Sequence, residues 1–173
     1  MPLTQKEARI LRSIIVASEN DPGKPEFPPG HPAFPATPTY KIDVPSFSSV
    51  WLKDESINET GTHKDRMAWE MIVTYRDFLI SKRKGVIKKL PVLSILSSGS
   101  AALAIQTALR TYGLPNLRVL MNSKTDTRIV VALRAIGCHV YLENLGTKLF
   151  DWNDILRLTE NLEGFDITSN EAY

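Results

Sequence analysis

A lysine flanked by a histidine and an arginine stands at the predicted start of the longest helix in this sequence. Residues 58–66 read NETGTHKDR, which brings His63, Lys64 and Arg66 together. The helix dipole favours acids at that end and disfavours bases, and a broken local preference often marks a functional residue. A lysine amine forms a Schiff base with an aldehyde when desolvation or nearby cations disfavour its ammonium form. Lys64 is therefore a candidate nucleophile, and the alternative is a solvent-facing lysine on an amphipathic helix.

A serine-rich turn offers a second candidate site. The segment LSSGSAALA (96–104) runs from a predicted strand through Ser97, Ser98, Gly99 and Ser100 into a helix. Free N–H groups at a helix N-terminus bind phosphate or carboxylate, and hydroxyl groups add further donors. The P-loop and the dinucleotide fingerprint are excluded, because neither G-K-[ST] nor G-x-G-x-x-G occurs. The segment predicts an anion site, and the alternative is a plain strand-to-helix turn with a serine cap.

The histidines and the single cysteine do not indicate other site chemistry. His31, His63 and His139 lack paired spacing with cysteine or acids, so no metal site is expected. Cys138 and His139 begin a predicted strand, where a small core thiol and an outward histidine are expected rather than a catalytic pair. No G-x-S-x-G motif occurs, so the sequence does not predict an acyl-transfer enzyme.

Composition excludes several classes of partner. Among 173 residues, Lys+Arg 21 and Asp+Glu 19 give a formal charge of +2, which does not indicate binding to nucleic acid or to an anionic membrane. The basic run 81–89 fits a solvated helix end. No stretch reaches the ~20 apolar residues of a membrane span, and the N-terminus lacks the pattern of a signal peptide. One cysteine permits no internal disulfide, so a reducing, cytoplasmic location is expected.

Hydrophobic periodicity predicts the elements that position these candidates. An N-terminal helix over residues 4–20 precedes a proline-rich extended segment, 21–40, whose prolines exclude both helix and central strand. From residue 91 onward strands and helices alternate, which predicts an α/β fold with an open parallel sheet and helices on both faces, a three-layer αβα arrangement. The predicted strands are 49–55, 91–97, 117–121 and 138–143, and the predicted helices are 63–84, 99–113, 126–137 and 151–164, the last capped by Asp151.

The sequence after this last helix predicts no element that covers the edge of the sheet. GFDITSNEAY, which begins at Gly164, is mostly polar. We expect residues 1–40 to form the N-terminal helix and proline-rich arm, and residues 41–173 to form an incomplete α/β domain. Because an open sheet edge invites association, we expect a homo-oligomer or association with a missing C-terminal half.

Both candidate sites lie in segments that resemble the signature of fold-type II pyridoxal-phosphate enzymes. That group includes threonine synthase, cysteine synthase, serine/threonine dehydratases and the tryptophan synthase β chain. The family pattern is a strand ending in K-x-E and then N-x-T-G-[ST]-x-K-x-R, and VWLKDESINETGTHKDR is similar to it. SSGSAALA resembles the family's S-G-N-x-x-x-A-L-A loop, a βαβ stretch ending in GCHVYL follows, and PATPTYKI resembles its T-P-L segment. The matching positions of the first motif are Lys53, Glu55, Asn58, Thr60, Gly61, Thr62, Lys64 and Arg66.

The resemblance, which covers residues 36–143, implies pyridoxal 5'-phosphate as cofactor and a small amino acid as substrate. It implies that Lys64 is the Schiff-base lysine and also moves the α-proton of the substrate. It implies that Asn58 contacts the ring hydroxyl of the cofactor and that the 97–100 turn binds the substrate carboxylate. His63 is typical of tryptophan synthase β and the pair Asp65-Arg66 is typical of threonine synthase, so the subgroup stays open.

The sequence departs from the family pattern at two points. Ser100 replaces the usual asparagine of the turn, and serine has one hydrogen-bond donor where the amide has two. Family members are also longer, and their glycine-rich loop for the cofactor phosphate lies in a second half that this sequence does not contain. The 173 residues alone are therefore expected to be inactive.

Three functions stay open at this point. The first is the N-terminal part of a pyridoxal-phosphate-dependent lyase or synthase that performs β- or γ-elimination or replacement on a small amino acid. The second is a truncated, non-catalytic relative that acts as a binding or interaction domain. The third is an unrelated nucleotide-binding α/β domain that uses the 97–100 turn.

Overall fold

The structure is a computed structural model, and it describes residues 36–146 and 149–168. The helix predicted over residues 4–20 and the proline-rich segment up to residue 35 lie outside these ranges. None of the helices within them has the length and hydropathy of a membrane span. The elements are β1 (Thr39–Ile42), β2 (Val50–Lys53), α1 (Lys64–Arg83), β3 (Leu93–Leu96), α2 (Ser100–Thr111), β4 (Arg118–Asn122), α3 (Thr127–Ala135), β5 (His139–Glu143), α4 (Trp152–Leu158) and β6 (Phe165–Asp166).

In the described part of the chain, four strands form one parallel sheet in the order β5-β4-β3-β6. Its register sets Ile95 of β3 opposite Val119 of β4, and Val119 opposite Val140 of β5. Helices α2 and α3 connect β3 to β4 and β4 to β5, since parallel strands need a crossover rather than a hairpin. The predicted α/β fold with an open parallel sheet is confirmed.

Alternation along β3 assigns different helices to the two faces of the sheet. Leu93 and Ile95 lie in one hydrophobic core with residues of α1 and α2. Ser94 points to the other face, where its hydroxyl lies 2.7 Å from that of Thr159, the residue after α4. Successive side chains of a strand point to opposite faces, so the sheet is covered on both sides, as the three-layer prediction requires.

Helix α1 buries one stripe along its length. Tyr75 and Phe78 are buried, and Met67 and Met71 are partly buried against the same core. The hydroxyl of Tyr75 donates a hydrogen bond to the Pro91 carbonyl, just before β3. Burial raises the pKa of that hydroxyl, so it stays a donor at every physiological pH. The middle of α1 is thereby tied to the start of β3.

Strands β1 and β2 form a separate antiparallel ribbon. The sequence predicted β2 within residues 49–55 but did not predict β1. Tyr40 lies opposite Leu52, and Ile42 lies opposite Val50, so one face of the ribbon carries only apolar side chains. Tyr40 and Leu52 are 50% and 53% exposed. A two-stranded ribbon with an exposed apolar face is marginally stable by itself.

The end of the described chain differs from the prediction. Asp151 caps α4 as predicted, since its carboxylate accepts a hydrogen bond from the Asp154 amide at 2.8 Å. The helix ends at Leu158 instead of residue 164, because Glu160 adopts the left-handed conformation (φ 54°) that commonly follows a helix. Strand β6 then pairs in parallel with β3. This short strand was not predicted, and it forms one edge of the sheet within the described residues.

Gly164 provides a test of the packing that seats β6. A Cβ atom at this position would overlap the Asn161 side chain and the Val92 carbonyl oxygen, and the latter is backbone that cannot move aside. We expect Gly164→Ala to lower the free energy of unfolding by roughly 1–3 kcal/mol or more, measured by urea denaturation. Gly146→Ala is the matched control, because its Cβ would make only an ordinary contact, 3.5 Å from the Asn144 side chain. Equal stability of the two variants would contradict the tight packing of β6.

Candidate active site

Lys64 is the first residue of α1. His63 precedes it as the N-cap residue, and the His63 side chain makes no capping hydrogen bond. The Lys64 amide donates a hydrogen bond to the Thr62 hydroxyl at 3.1 Å, and the lysine side chain is half-buried. The predicted position of the lysine at a helix N-terminus is confirmed, and its chemistry remains a prediction.

A bidentate ion pair between Arg66 and Glu55 explains the arginine in the first turn of α1. Arg66 Nε lies 2.8 Å from Glu55 Oε2, and Arg66 Nη2 lies 2.9 Å from Glu55 Oε1. The two side chains are 30% and 16% exposed. Hydrogen bonds from Arg66 and then from Asn58 and Thr37 lower the pKa of Glu55 to about 2. The carboxylate offsets the unfavourable position of a cation at a helix N-terminus.

Thr37 is a further member of this cluster, and its role was not predicted. Its hydroxyl donates to Glu55 Oε1 at 2.8 Å and accepts from Arg66 Nη2 at 3.1 Å. Its carbonyl accepts a hydrogen bond from Lys53 Nζ at 3.3 Å. The PATPTYKI segment had signalled a family motif here, but no property of a single threonine indicates which distant carboxylate it meets.

Asn58 is held inside the loop before α1. Its Nδ2 donates to Glu55 Oε2 at 2.7 Å and to the Thr62 carbonyl at 2.9 Å, so both amide hydrogens are used. The residue is 6% exposed, and its Oδ1 is buried with no hydrogen-bond partner. A buried acceptor without a donor costs free energy, which a hydroxyl group donating to it would recover. The geometry thus suits a donor hydroxyl on a bound molecule.

The rest of the loop is fixed by its own backbone. Asp65 Oδ2 accepts hydrogen bonds from the amide and the hydroxyl of Thr60, at 3.1 and 2.8 Å. Gly61 has φ 76°, a left-handed conformation that glycine adopts without strain. Asp65 is thus the acid that the dipole favours in the first turn, and it closes the loop that leads to Lys64.

The 97–100 turn lies at the carboxyl end of β3. The Ser97 amide donates to the Leu120 carbonyl at 3.1 Å, and the Ser97 hydroxyl accepts from the Gly99 amide at 3.1 Å. Gly99 has φ 138°, and a Cβ there would lie 2.9 Å from Ile129 of α3. Glycine is therefore required at this position by both conformation and space.

The start of α2 keeps its donors available to a ligand. No side chain caps this helix, and its first turn contains no acid. The first amides of a helix have no partner within the helix, so these groups and the exposed hydroxyls of Ser98 and Ser100 can serve an anion. This arrangement is compatible with the predicted carboxylate site.

Two hydrogen-bonded groups contain the candidate residues. One joins Thr37, Glu55, Asn58 and Arg66 beside Lys64, and the other joins the 97–100 turn to β4. No cluster of three potential metal ligands occurs among residues 36–146 and 149–168.

The two residues at the start of β5 are placed as predicted. Cys138 is a buried core thiol whose pKa burial raises to about 12, which leaves it unreactive at neutral pH. His139 is exposed. The prediction of a core thiol beside an outward histidine is confirmed.

The low pKa of Glu55 gives the ion pair a defined pH dependence. The carboxylate titrates near 4.5 in an unfolded chain and at about 2 in the folded protein. Its contribution to stability is therefore complete above about pH 4.5 and is lost as the pH falls toward 2. We expect thermal midpoints of the native protein and the Glu55→Gln variant to converge over this interval, with the native protein the more stable at neutral pH.

Glu59→Gln is the matched control for that titration. Glu59 lies on the same loop, is exposed, and makes no hydrogen bond or ion pair among the described residues. Its midpoint is expected to follow that of the native protein at each pH. A constant difference between native protein and Glu55→Gln down to pH 2 would contradict the assigned role of the ionised carboxylate.

Comparison with known proteins identifies a family for this arrangement. The family described as pyridoxal-phosphate dependent enzyme matches residues 33–161. Cysteine synthase B of Escherichia coli (strain K12) is 36% identical over 97 residues, which cover 55% of this chain and 29% of that protein. Cysteine synthase of Aquifex aeolicus (strain VF5) is 29% identical over 100 residues, which cover 58% of this chain and 28% of that protein. The chain thus matches less than a third of the length of these relatives.

Solved structures show the same fold. The O-acetylserine dependent cystathionine beta-synthase from Helicobacter pylori superposes with a TM-score of 0.57 at 16% identity, over 79% of this chain and 44% of that one. O-ureido-L-serine synthase superposes with a TM-score of 0.53 at 23% identity, over 75% and 40% of the two chains. At these identities the likeness concerns the fold alone. Because the family match covers most of the sequence, this chain belongs to the pyridoxal-phosphate dependent enzyme family.

Proposed function

We propose that this chain is the lysine-bearing, N-terminal part of an enzyme that catalyses β- or γ-elimination or replacement on a small amino acid. In this proposal Lys64 is the Schiff-base lysine, Asn58 contacts the cofactor ring hydroxyl, and the 97–100 turn binds the substrate carboxylate. The observation that carries it is the position of Lys64 at the start of α1, beside a loop fixed by Glu55, Asn58 and Arg66.

The described residues fit part of a pyridoxal phosphate site. A primary amine at Lys64 suits the cofactor aldehyde, and the unpartnered Oδ1 of Asn58 suits a donor hydroxyl. The sequence contains no glycine-rich loop for the phosphate, so the proposal assigns no phosphate contact to the described residues. When bound, the cofactor supplies an electron sink for a carbanion at the substrate α-carbon.

The protein's own residues have two tasks in this reaction. Lys64 Nζ takes the proton from the α-carbon as general base and returns a proton later as general acid. The start of α2, with the hydroxyls of Ser98 and Ser100, orients the substrate through its carboxylate. The ion pair of Glu55 with Arg66 holds the first turn of α1, which keeps the base on a rigid element.

The relatives favour one chemistry within this class. Two curated relatives are named cysteine synthases, and one structural neighbour is described as a hydrogen sulfide-producing enzyme from Fusobacterium nucleatum. We therefore favour chemistry at the β-carbon and a cysteine synthase-like substrate over the tryptophan synthase-like and threonine synthase-like alternatives. A cytoplasmic location remains a prediction, as do a homo-oligomeric state and the absence of nucleic-acid and membrane partners.

The apolar face of the β1–β2 ribbon supports the second function, a non-catalytic relative that acts as an interaction domain. Tyr40, Ile42 and Leu52 are exposed on that face, as a surface for a further protein segment would be. The same surface is compatible with association with a C-terminal half, so it does not by itself decide between the two functions. The division at residue 40 also remains a prediction, although β1 runs across it.

Covalent trapping tests the enzyme proposal. The chain is mixed with pyridoxal phosphate, reduced with borohydride, digested and mapped by mass spectrometry. We expect one pyridoxyl group per chain on Lys64, because the loop fixed by Glu55 and Asn58 holds this lysine at the start of α1. Lys64→Ala should lose this label, whereas Lys88→Ala, which removes an exposed lysine of the basic run, should keep it.

Two outcomes would reject the proposal for the chain as it stands. Label scattered over the lysines of residues 81–89 would mean that exposure alone governs the reaction. Absence of label on Lys64, in a chain whose circular dichroism shows it folded, would leave the interaction domain as the better function.

A further inference from the structure

We propose that a cavity at the amino-terminal edge of the parallel sheet binds a small carboxylate with an apolar body. This amino-edge cavity has a volume of about 740 Å³ and lies between the loop before β3, the start of β4 and the segment from α4 to β6. Small-molecule sites typically have volumes of roughly 300–1,000 Å³. The cavity combines an apolar wall with a fixed arginine.

The apolar wall is formed by aromatic and aliphatic side chains from three elements. Phe78 of α1 and Phe165 of β6 stack with ring centroids 5.7 Å apart and an interplanar angle of 26°. Ile87 and Leu90, from the loop before β3, line the same cavity. Such a wall favours the apolar body of a ligand, since burial removes apolar surface from water on both sides.

Arg118, the first residue of β4, supplies the polar contact. Its Nη1 donates to the carbonyls of Thr159, at 2.8 Å, and Glu160, which fixes the guanidinium at the end of α4. Within the described residues, its Nε and Nη2 have no hydrogen-bond partner. In Arg66 the same two nitrogens, Nε and Nη2, bind the Glu55 carboxylate at 2.8 and 2.9 Å. The Nε and Nη2 groups of Arg118 are therefore suited to bind a carboxylate in the same way.

The remaining charges of the cavity also favour an anion. Lys89 lines it and makes no ion pair within the described residues, and Arg157 is paired with Asp154 at 3.0 Å. Of the two acids, Glu160 accepts a hydrogen bond from the Tyr141 hydroxyl at 3.3 Å, and Glu163 is exposed. Arg118 and Lys89 thus provide the positive charge that a carboxylate would meet.

The amino-edge cavity is separate from the 97–100 turn. The two lie at opposite ends of β3, whose four residues span about 13 Å. A ligand in the cavity would therefore not be the substrate of the proposed reaction, and the inference stands whether or not that proposal holds. Its residues come from α1, β4 and β6, so a bound ligand would stabilise their packing.

Binding of 2-naphthoate, compared with neutral 2-naphthamide, tests the inference in the full chain by isothermal titration calorimetry. The two probes share an apolar body and differ in charge. We expect saturable binding of 2-naphthoate at one site, a rise in thermal midpoint with its concentration, and at least tenfold weaker binding of the amide. Arg118→Gln should reduce the affinity for 2-naphthoate by about tenfold or more.

Arg118 also contacts backbone carbonyls, so its replacement could disturb the fold. Two variants of exposed residues therefore test the inference without this effect. Lys89→Glu should weaken 2-naphthoate binding roughly threefold and Glu163→Lys should strengthen it by a similar factor, since both side chains are exposed. Neither change should alter binding of 2-naphthamide. Equal affinity for the two probes, or affinity for 2-naphthoate that is indifferent to all three substitutions, would overturn the inference.

Discussion

The bidentate ion pair between Glu55 and Arg66 is the interaction on which the candidate site depends. It joins the residue just after the ribbon to the first turn of α1, and the same carboxylate accepts hydrogen bonds from Thr37 and Asn58. The side chains of Thr37, Asn58 and Arg66 therefore converge on the two carboxylate oxygen atoms of Glu55. Because an arginine at a helix N-terminus opposes the dipole, the carboxylate of the pair also offsets an unfavourable charge in the first turn of α1.

The position of the rest of α1 is fixed by packing in the hydrophobic core. Ile72 and Tyr75, in the middle of α1, are fully buried in the core on one face of the sheet. The Tyr75 hydroxyl donates a hydrogen bond to the Pro91 carbonyl, just before β3. The helix that carries Lys64 is thus held by polar contacts at its start and by the burial of apolar side chains along its length. The 97–100 turn is held differently, through the backbone of β4 and a glycine that closely approaches α3. Each candidate group is therefore presented by an element whose position is fixed independently.

Several features followed from the sequence because they depend on local physics. Short, largely apolar runs predicted β3, β4 and β5, and helical periodicity predicted α1, α2 and α3 to within a few residues. The cap at Asp151 was also predicted correctly, since such a cap requires only an acid followed by a helical pattern. The end of α4 was not, because Glu160 enters a left-handed conformation that non-glycine residues rarely adopt and that Arg118, distant in sequence, supports from β4. The hydrogen-bonded cluster around Glu55 could not be predicted for the same reason, because tertiary structure decides which carboxylate contacts Arg66.

The strand order β5-β4-β3-β6 has a further consequence. From β3 the chain builds outward through β4 to β5 and then returns past its starting point to place β6 on the far side of β3. The sheet therefore reverses its direction of growth between β3 and β6, and α2, which follows β3, and α4, which precedes β6, lie on opposite faces of the sheet. In open parallel sheets such a topological switch point opens a crevice at the carboxyl ends of the strands, where ligands collect. The 97–100 turn follows the carboxyl end of β3, one of the two strands at this switch point.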